Sequence, residues 1–254
     1  MVPVVILCGG RGLRMASRSG SRPKPLVPIG GRPILWHLMQ HFATYGHRDF
    51  VLALGYGAAA IKRYFFEQLY LAGSLTLRMD DQLIRRHGAR PPWHVTMVET
   101  GLDTPTGERL LLLAPYLDAP TFFVTYADGL ADLDLGSLLA YHRRMGLLAT
   151  VTAVRREVPF GVLEVEEGKA RSFQEKPRLD VWVNGGYFVF ERRVLDVLAP
   201  GEMLEQGPLQ RLAAQGELAV FHHHGFWACM DTPKDAAALN RAWRQGAPWK
   251  VWTD

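Results

Sequence analysis

The sequence is poor in cysteine and has no long hydrophobic run. Only Cys8 and Cys229 occur among 254 residues, which excludes a disulfide framework and a cysteine-rich zinc site. No apolar segment approaches the ~18 residues that cross a bilayer, and Pro3 and the glycines at 9 and 10 interrupt the first one. We therefore expect a soluble, cytoplasmic protein that contacts no membrane.

Acidic residues are absent from the first 48 positions. This stretch carries seven cations before the first carboxylate, Asp49, whereas the whole chain has 29 Lys+Arg, 25 Asp+Glu and a net charge of +4. The entire basic excess is therefore N-terminal. Two kinds of anionic partner fit such an excess, a nucleic acid or a phosphorylated small molecule.

Short apolar runs of the buried-strand type alternate with amphipathic helices along the first 154 residues. The predicted strands are 4–7, 50–54, 95–98, 121–126 and 148–154, and the predicted helices are 33–45, 58–68 and 135–145. This alternation predicts an α/β protein with a Rossmann-like, three-layer, mostly parallel sheet. Residues 73–93 interrupt the rhythm and are predicted to form an inserted loop or hairpin.

The pattern changes after residue 154 to a C-terminal α+β extension. Strands are predicted at 161–165, 170–173 and 183–190, and helices at 192–198, 208–215 and 234–243. The sequence contains no internal repeat and no polar linker, so we expect residues 1–254 to form one domain, with a core at 1–154 and the extension at 155–254.

A glycine-rich turn follows the first strand, with glycines at 9, 10 and 12 and arginines at 11 and 14. Backbone N–H groups in such a turn can approach and bind phosphates. The dinucleotide fingerprint is excluded because Met15 stands where its third glycine should be, and a P-loop is excluded because Gly168-Lys169 is followed by Ala170. Lys24 lies between two prolines, which fix the backbone that carries its ammonium group. Taken alone, the turn is better interpreted as a solvated basic loop. The turn and Lys24 together favour a phosphate-binding site.

Two carboxylates are candidate ligands for a divalent cation. Asp128 follows the predicted strand 121–126, at the sheet edge where α/β proteins bind ligands, and Asp231 follows a second apolar run. Each also has a purely structural interpretation, a turn residue for Asp128 and a helix cap for Asp231, and the spacing does not decide between them. Asp134 is predicted to be a helix N-cap. His222-His223-His224 is not a metal site, because consecutive strand residues face opposite sides.

Six motifs resemble, in order and spacing, those of the sugar-1-phosphate nucleotidyltransferases. They are Leu7-Cys8-Gly9-Gly10-Arg11-Gly12-Leu13-Arg14, Pro23-Lys24-Pro25, Tyr126-Ala127-Asp128-Gly129, Glu175-Lys176-Pro177, Asn184-Gly185-Gly186 and Met230-Asp231-Thr232. Further stretches at 30–37, 125–132, 172–177 and 247–250 resemble the members that use CTP and glucose 1-phosphate, and the likeness spans roughly residues 2–252. It implies a nucleotide-diphospho-sugar transferase fold, with nucleotide bound in 1–154 and sugar in 155–254.

The resemblance also implies a reaction and the residues for it. CTP and α-D-glucose 1-phosphate, both small molecules, would give CDP-glucose and pyrophosphate with Mg²⁺ as cofactor, in a homo-oligomer of three or six chains. The matching catalytic residues are Arg14 and Lys24, and the matching metal ligands are Asp128 and Asp231. The sugar-phosphate positions are Glu175, Lys176, Asn184 and Gly185. The nucleotide positions are Leu7, Cys8, Gly9, Gly10, Arg11, Gly12, Leu13, Thr106, Gly107, Arg109 and Ala127.

Three departures from the family pattern keep alternatives open. Leu13 replaces a threonine, Ala127 replaces a glycine, and a predicted loop at 178–183 is one residue short and lacks its glycines. The chain could therefore use another sugar phosphate or another base, such as UTP or dTTP, or be a catalytically weak ligand-binding relative. Nucleic-acid binding is disfavoured, because the N-terminal cations are interleaved with glycine and proline at a strand end.

Overall fold

The computed structural model of the protein describes residues 1–10, 22–71, 73–88, 91–157, 161–175 and 178–253. The strands are β1 (Val4–Leu7), β2 (Pro28–Ile29), β3 (Arg32–Pro33), β4 (Asp49–Leu54), β5 (Leu75–Arg78), β6 (Leu83–Arg86), β7 (His94–Glu99), β8 (Thr121–Tyr126), β9 (Gly129–Ala131), β10 (Ala149–Glu157), β11 (Val162–Glu166), β12 (Lys169–Gln174), β13 (Arg178–Glu191), β14 (Leu218–His223) and β15 (Trp227–Cys229). The helices are α1 (Ile34–Thr44), α2 (Ala58–Tyr70), α3 (Thr106–Leu112), α4 (Leu135–Met145), α5 (Pro208–Ala214) and α6 (Pro233–Arg244). Within these described residues, no helix is both long and apolar enough to cross a bilayer.

A seven-stranded sheet forms the centre of the molecule, in the order β14-β10-β13-β8-β1-β4-β7. β1 lies between two parallel neighbours, since Val4 pairs with Phe50 of β4 and with Phe123 of β8. Within the described sheet only β13 runs against the others, because its pairings with β8 and β10 are antiparallel. The predicted mostly parallel sheet is confirmed.

The alternation of side chains along β1 divides the interior into two cores. Val4 and Ile6 face a core that contains Leu38 of α1, whereas Val5 and Leu7 face a core that contains Leu110 of α3. Consecutive strand residues point to opposite faces, so a strand covered by helices on both sides must be apolar throughout. Burying each such side chain contributes about 2 kcal/mol relative to leaving it exposed. The helices on both faces give the three layers that the sequence predicts.

Several predicted elements differ from those observed. The segment at 73–93 does contain a hairpin, in which β5 and β6 pair antiparallel. The predicted helix at 192–198 is a 3₁₀ segment at Arg192–Val197. α3 was not predicted.

The prediction of a loop at 178–183 was wrong. These residues form the first half of β13 and pair with the end of β10, where Trp182 lies opposite Arg155 and Val183 opposite Val154. Valine and tryptophan are residues that favour strands, and the paired β10 satisfies their backbone groups. The shortened segment that departs from the family pattern is therefore sheet rather than a flexible loop.

The C-terminal segment packs against α1. Trp249 is 1% exposed, and its Nε1 donates to His37 Nδ1 at 3.4 Å, while His37 Nε2 donates to the Ile29 carbonyl at 2.8 Å. The two bonds require a neutral ring with the proton on Nε2. Burial lowers the pKa of His37 in agreement with this state. His37 thus connects β2 to the C-terminal segment, more than 200 positions away in the sequence.

Buried neutral histidines make the stability of this fold depend on pH. His41 of α1 is 2% exposed, its Nε2 lies 2.7 Å from the Leu133 carbonyl, and burial lowers its pKa from 6.5 to about 4. The unfolded chain therefore takes up a proton at higher pH than the folded chain does. The free energy of unfolding should fall as the pH drops from 6.5 to about 4, by up to about 3 kcal/mol from this residue.

Urea unfolding of His41→Gln at pH 7.5 and pH 4.5 would measure this contribution. The glutamine amide can still donate to the Leu133 carbonyl but does not titrate, so the variant should lose less stability than the wild type on acidification. His94→Gln, at an exposed site on β7, is the matched control and should keep the wild-type pH dependence. Equal pH dependence in wild type and His41→Gln would contradict the assignment.

Candidate active site

The glycine turn begins at the carboxyl end of β1. Cys8 is 1% exposed and its N–H donates to the Ala53 carbonyl of β4 at 3.0 Å, while the Gly9 carbonyl accepts from the Tyr56 N–H at 3.3 Å. Burial raises the pKa of the Cys8 thiol far above its ordinary value, so this sulfur is not a nucleophile. The predicted positions Arg11, Gly12, Leu13 and Arg14 lie outside the described residues.

Arg109 of α3 holds this turn in place. Arg109 is 4% exposed, and its guanidinium donates to the Thr100 hydroxyl and to the carbonyls of Gly9, Leu54, Gly101 and Leu102, at 2.6 to 3.3 Å. A Cβ at Gly9 would lie 2.1 Å from Arg109 Nη1, so only glycine allows this approach. Burial lowers the pKa of the guanidinium, which still remains charged. Because five protein acceptors surround it, Arg109 acts by positioning the turn.

A cavity of about 400 Å³ opens at the carboxyl ends of β1 and β8. The predicted residues that line it are Leu7, Cys8, Gly9, Gly10, Lys24, Thr106, Arg109, Ala127 and Asp128. Parallel strands present their carboxyl ends at the same edge of a sheet, and ligands bind there in open α/β proteins. We call this the first cavity.

Lys24 bridges the two predicted metal ligands. Its Nζ lies 2.7 Å from Asp128 Oδ2 and 2.8 Å from Asp231 Oδ1, and its side chain is 15% exposed. Burial alone would lower the pKa of Lys24, but the Asp128 and Asp231 carboxylates outweigh burial and raise it. Pro23 packs closely on Gly57, where a Cβ would lie 2.6 Å from the proline ring. That contact fixes the backbone from which Lys24 projects.

A two-stranded ribbon explains why Asp128 and Asp231 meet although 103 positions separate them. β9 follows Asp128, β15 precedes Asp231, and the two strands pair antiparallel with Cys229 opposite Gly129. The Met230 N–H then donates to the Asp128 carbonyl at 2.8 Å. Each aspartate therefore stands at the same end of the ribbon, beside the other.

The helix cap after β15 is Thr232, not Asp231. The Thr232 hydroxyl accepts from the Asp235 N–H and the Asp235 carboxylate accepts from Thr232, which is a capping box at the start of α6. Asp235 also accepts from the Asp231 N–H at 3.0 Å. The structure thus excludes the helix-cap interpretation of Asp231 and leaves its carboxylate directed to Lys24. The predicted N-cap Asp134 is confirmed at α4.

A second cavity of about 240 Å³ lies on the other side of Asp128. Asn184 and Gly185 of β13 line it, as does Trp227, whose Nε1 donates to the Gly185 carbonyl at 2.7 Å. The Asn184 side chain accepts from the Gly186 N–H at 2.8 Å. A Cβ at Gly185 would lie 3.0 Å from the Thr152 carbonyl, so a side chain would push β13 away from β10. The two cavities share Tyr126 and Asp128.

Sequence reasoning missed a polar network between the cavities. The Glu205 carboxylate accepts from the hydroxyl of Tyr126 and, at 2.9 Å, from that of Thr106. Burial raises the pKa of the Tyr126 phenol strongly, which keeps it a hydrogen-bond donor. Gly107 also supports this loop, because its N–H donates to the Glu202 carbonyl at 3.1 Å. Tyr126 stands within a matched motif, but no local pattern marks Glu205.

The structure does not bring Glu175, a predicted sugar-phosphate residue, into either cavity. Glu175 follows β12 and lies beside Gly161, outside the described linings of both cavities. Lys176 lies outside the described residues. The described site therefore contains Lys24, the two aspartates, and Asn184 and Gly185 of β13.

The donor set suits a magnesium ion bound together with phosphates. Two carboxylate oxygens already contact one cation, the Lys24 ammonium, so the pair of aspartates can bind a positive charge at that point. The described residues contain no cluster of three or more His, Cys, Asp or Glu side chains able to enclose a metal. Mg²⁺ is typically held by one or two carboxylates, with substrate phosphates and water completing its shell. Asp128 and Asp231 fit that pattern.

The chain resembles known proteins over nearly its whole length. A family model described as nucleotidyl transferase matches residues 3–232. The probable glucose-1-phosphate cytidylyltransferase of Bacillus subtilis is 44% identical over 251 residues, covering 98% of this chain and 99% of that protein. The glucose-1-phosphate cytidylyltransferase of Salmonella typhimurium is 43% identical over 253 residues, with 98% of each chain covered.

Solved structures share the fold at lower identity. The crystal structure of HddC from Yersinia pseudotuberculosis has a TM-score of 0.70 and 22% identity, and the match covers 96% of this chain and 100% of that one. The inositol-1-phosphate CTP transferase of T. maritima has a TM-score of 0.66 and 18% identity, covering 97% and 98%. This chain belongs to the nucleotidyl transferase family, and within it to the glucose-1-phosphate cytidylyltransferases.

Proposed function

We propose that this protein joins CTP to α-D-glucose 1-phosphate, giving CDP-glucose and pyrophosphate. The observation that carries the proposal is the position of Asp128, which lines both cavities. Its carboxylate forms an ion pair with Lys24, and the β9–β15 ribbon places Asp231 beside it. Two phosphorylated substrates must meet at such a point if one is to attack the other. The full-length identity to glucose-1-phosphate cytidylyltransferases supports the choice of substrates.

The first cavity would hold CTP and the second the sugar phosphate. Backbone N–H groups of the turn at Gly9 and Gly10, which Arg109 fixes, are suited to phosphate oxygens. Asn184 and the backbone at Gly185, which Trp227 fixes, form the polar side of the second cavity. In this arrangement the two phosphates approach Asp128 from opposite sides.

In the reaction, a phosphate oxygen of glucose 1-phosphate would attack the α-phosphorus of CTP. A new P–O bond forms as the bond between the α-phosphorus and its bridging oxygen to the β-phosphorus breaks, and pyrophosphate leaves with the electron pair. The protein supplies orientation and charge neutralisation rather than a covalent intermediate. Mg²⁺ held by Asp128 and Asp231 would neutralise negative charge on the phosphates, and Lys24 would neutralise charge that moves to the leaving group.

A grid of nucleotides and sugar phosphates tests the substrates. Pyrophosphate release should be fastest with CTP and glucose 1-phosphate when CTP, UTP, dTTP and GTP are each combined with glucose 1-phosphate and mannose 1-phosphate. Turnover with CTP no greater than with UTP or dTTP would show that the enzyme does not prefer cytosine and would overturn the assignment of CTP as the nucleotide substrate. Nucleotide-induced thermal stabilisation without pyrophosphate release in any combination would instead identify a weak ligand-binding relative.

Asp128→Asn and Asp231→Asn test the shared carboxylates. Each variant keeps the shape of the side chain but removes a charge, so kcat/KM should fall by at least ~100-fold while the far-UV circular dichroism is unchanged. Asp118→Asn, at an exposed site, is the matched control and should keep wild-type turnover. Near-normal turnover in either site variant would overturn the assignment.

Arg109→Lys tests whether Arg109 acts by positioning. An ammonium cannot reach the five acceptors that the planar guanidinium serves, so buried carbonyls lose partners at a cost of about 1–3 kcal/mol each. Thermal melts should show a lower Tm, and KM for CTP should rise more than kcat falls, because the Gly9 turn moves. A variant with wild-type Tm and a large loss of kcat alone would indicate direct contact with the reacting phosphates.

A further inference from the structure

We propose that Lys24 occupies the position of the divalent cation between Asp128 and Asp231 until a nucleotide binds, and so makes metal binding depend on nucleotide. This inference rests on the proposed function. It concerns the order in which ligands enter the site, which the family relationship does not specify. It follows from the placement of one ammonium group between two carboxylates.

Lys24 and a metal ion compete for the same oxygens. Asp128 Oδ2 and Asp231 Oδ1 both lie within 2.8 Å of Lys24 Nζ, so they are held close enough to ligate a single cation. A divalent ion at that point would stand in contact with the ammonium, and two cations at such a distance repel strongly. Metal can therefore bind these carboxylates fully only after the ammonium has left.

The ribbon keeps the backbones of the two aspartates together when the ammonium leaves. The Met230 N–H to Asp128 carbonyl bond and the Cys229–Gly129 pairing are backbone contacts that do not involve Lys24. The capping box at Thr232 likewise holds the backbone after Asp231 without Lys24. Removing the ammonium therefore leaves the backbone of both aspartates in place, so that their side chains can still reach a common cation.

The first cavity offers Lys24 another partner. Lys24 lines it together with Gly9 and Gly10, where a triphosphate would bind. Its four-carbon side chain can turn about the backbone fixed by Pro23 and Pro25, exchanging carboxylate oxygens for phosphate oxygens. Nucleotide would then raise the affinity for metal, and by linkage metal would raise the affinity for nucleotide by the same factor.

Mn²⁺ binding without turnover tests this. Free Mn²⁺ is measured by electron paramagnetic resonance during titration of the wild-type protein, Lys24→Met and Lys24→Arg, each with and without a CTP analogue that has a methylene between its α- and β-phosphates. Without nucleotide, Lys24→Met should bind Mn²⁺ on the order of tenfold more tightly than the wild type, because the competing charge is gone. Lys24→Arg keeps the charge and should bind weakly. The analogue should tighten Mn²⁺ binding to the wild type far more than to Lys24→Met.

The controls separate this inference from the proposed function. Lys62→Met removes a lysine of α2 that pairs with Glu99 of β7, outside the described linings of both cavities, and should leave Mn²⁺ affinity unchanged. Adding Asp231→Asn to Lys24→Met should abolish the gain, and circular dichroism confirms folding. Mn²⁺ affinity in Lys24→Met equal to or weaker than wild type would refute the competition even if the wild type turns over CTP. A tenfold gain with no turnover in the substrate grid would refute the proposed reaction alone.

Discussion

The pairing of β9 with β15 is the interaction on which the site depends. These two strands have three residues each, yet they bring Asp128 and Asp231 to one point from distant parts of the chain. The pairing is short, but it is anchored by the apolar residues Leu130 and Met230, which are 2% and 0% exposed. Without it, the aspartates would stand on separate elements, and neither Lys24 nor a metal ion could contact both.

The charge of Lys24 is balanced by residues that lie far from it in the sequence. The first 48 residues lack carboxylates, and a local view of the sequence suggests an unpaired positive field there. Lys24 instead pairs with two aspartates that lie 104 and 207 positions away. The absence of acids near Lys24 therefore does not leave it unpaired. The fold supplies its partners, at the edge of the sheet where the two cavities meet.

Arg109 shows why a matched position does not define a role. The resemblance places Arg109 near the nucleotide, and it does line the first cavity. Its guanidinium nonetheless donates to backbone carbonyls of the turn after β1, of β4 and of the segment after β7. To contact a ligand, this buried guanidinium would have to give up hydrogen bonds to some of its five protein acceptors, and the turn would lose that support. The same residue type in the same pattern can thus act on the protein rather than on the substrate.

Much of the fold was predictable from the sequence, because strands buried on both faces are apolar throughout and amphipathic helices repeat every 3.6 residues. β1, β8 and α4 have bounds within a residue or two of those expected. Elements that were missed or misjudged include β9 and β15, which have three residues each, and the first half of β13, which is stabilised by its pairing with β10.

The sequence by itself determined the candidate residues, since the glycine turn, the lysine between two prolines and the two aspartates after apolar runs are evident in local patterns, but it left the role of each aspartate open. Only the tertiary structure decided how they are combined. It showed that Lys24 bridges Asp128 and Asp231, that Thr232 rather than Asp231 caps α6, and that Glu205 joins Tyr126 to Thr106. The physical reason is that hydrogen bonds and ion pairs act over a few ångströms in space, and the chain positions that meet there are set by strand pairing.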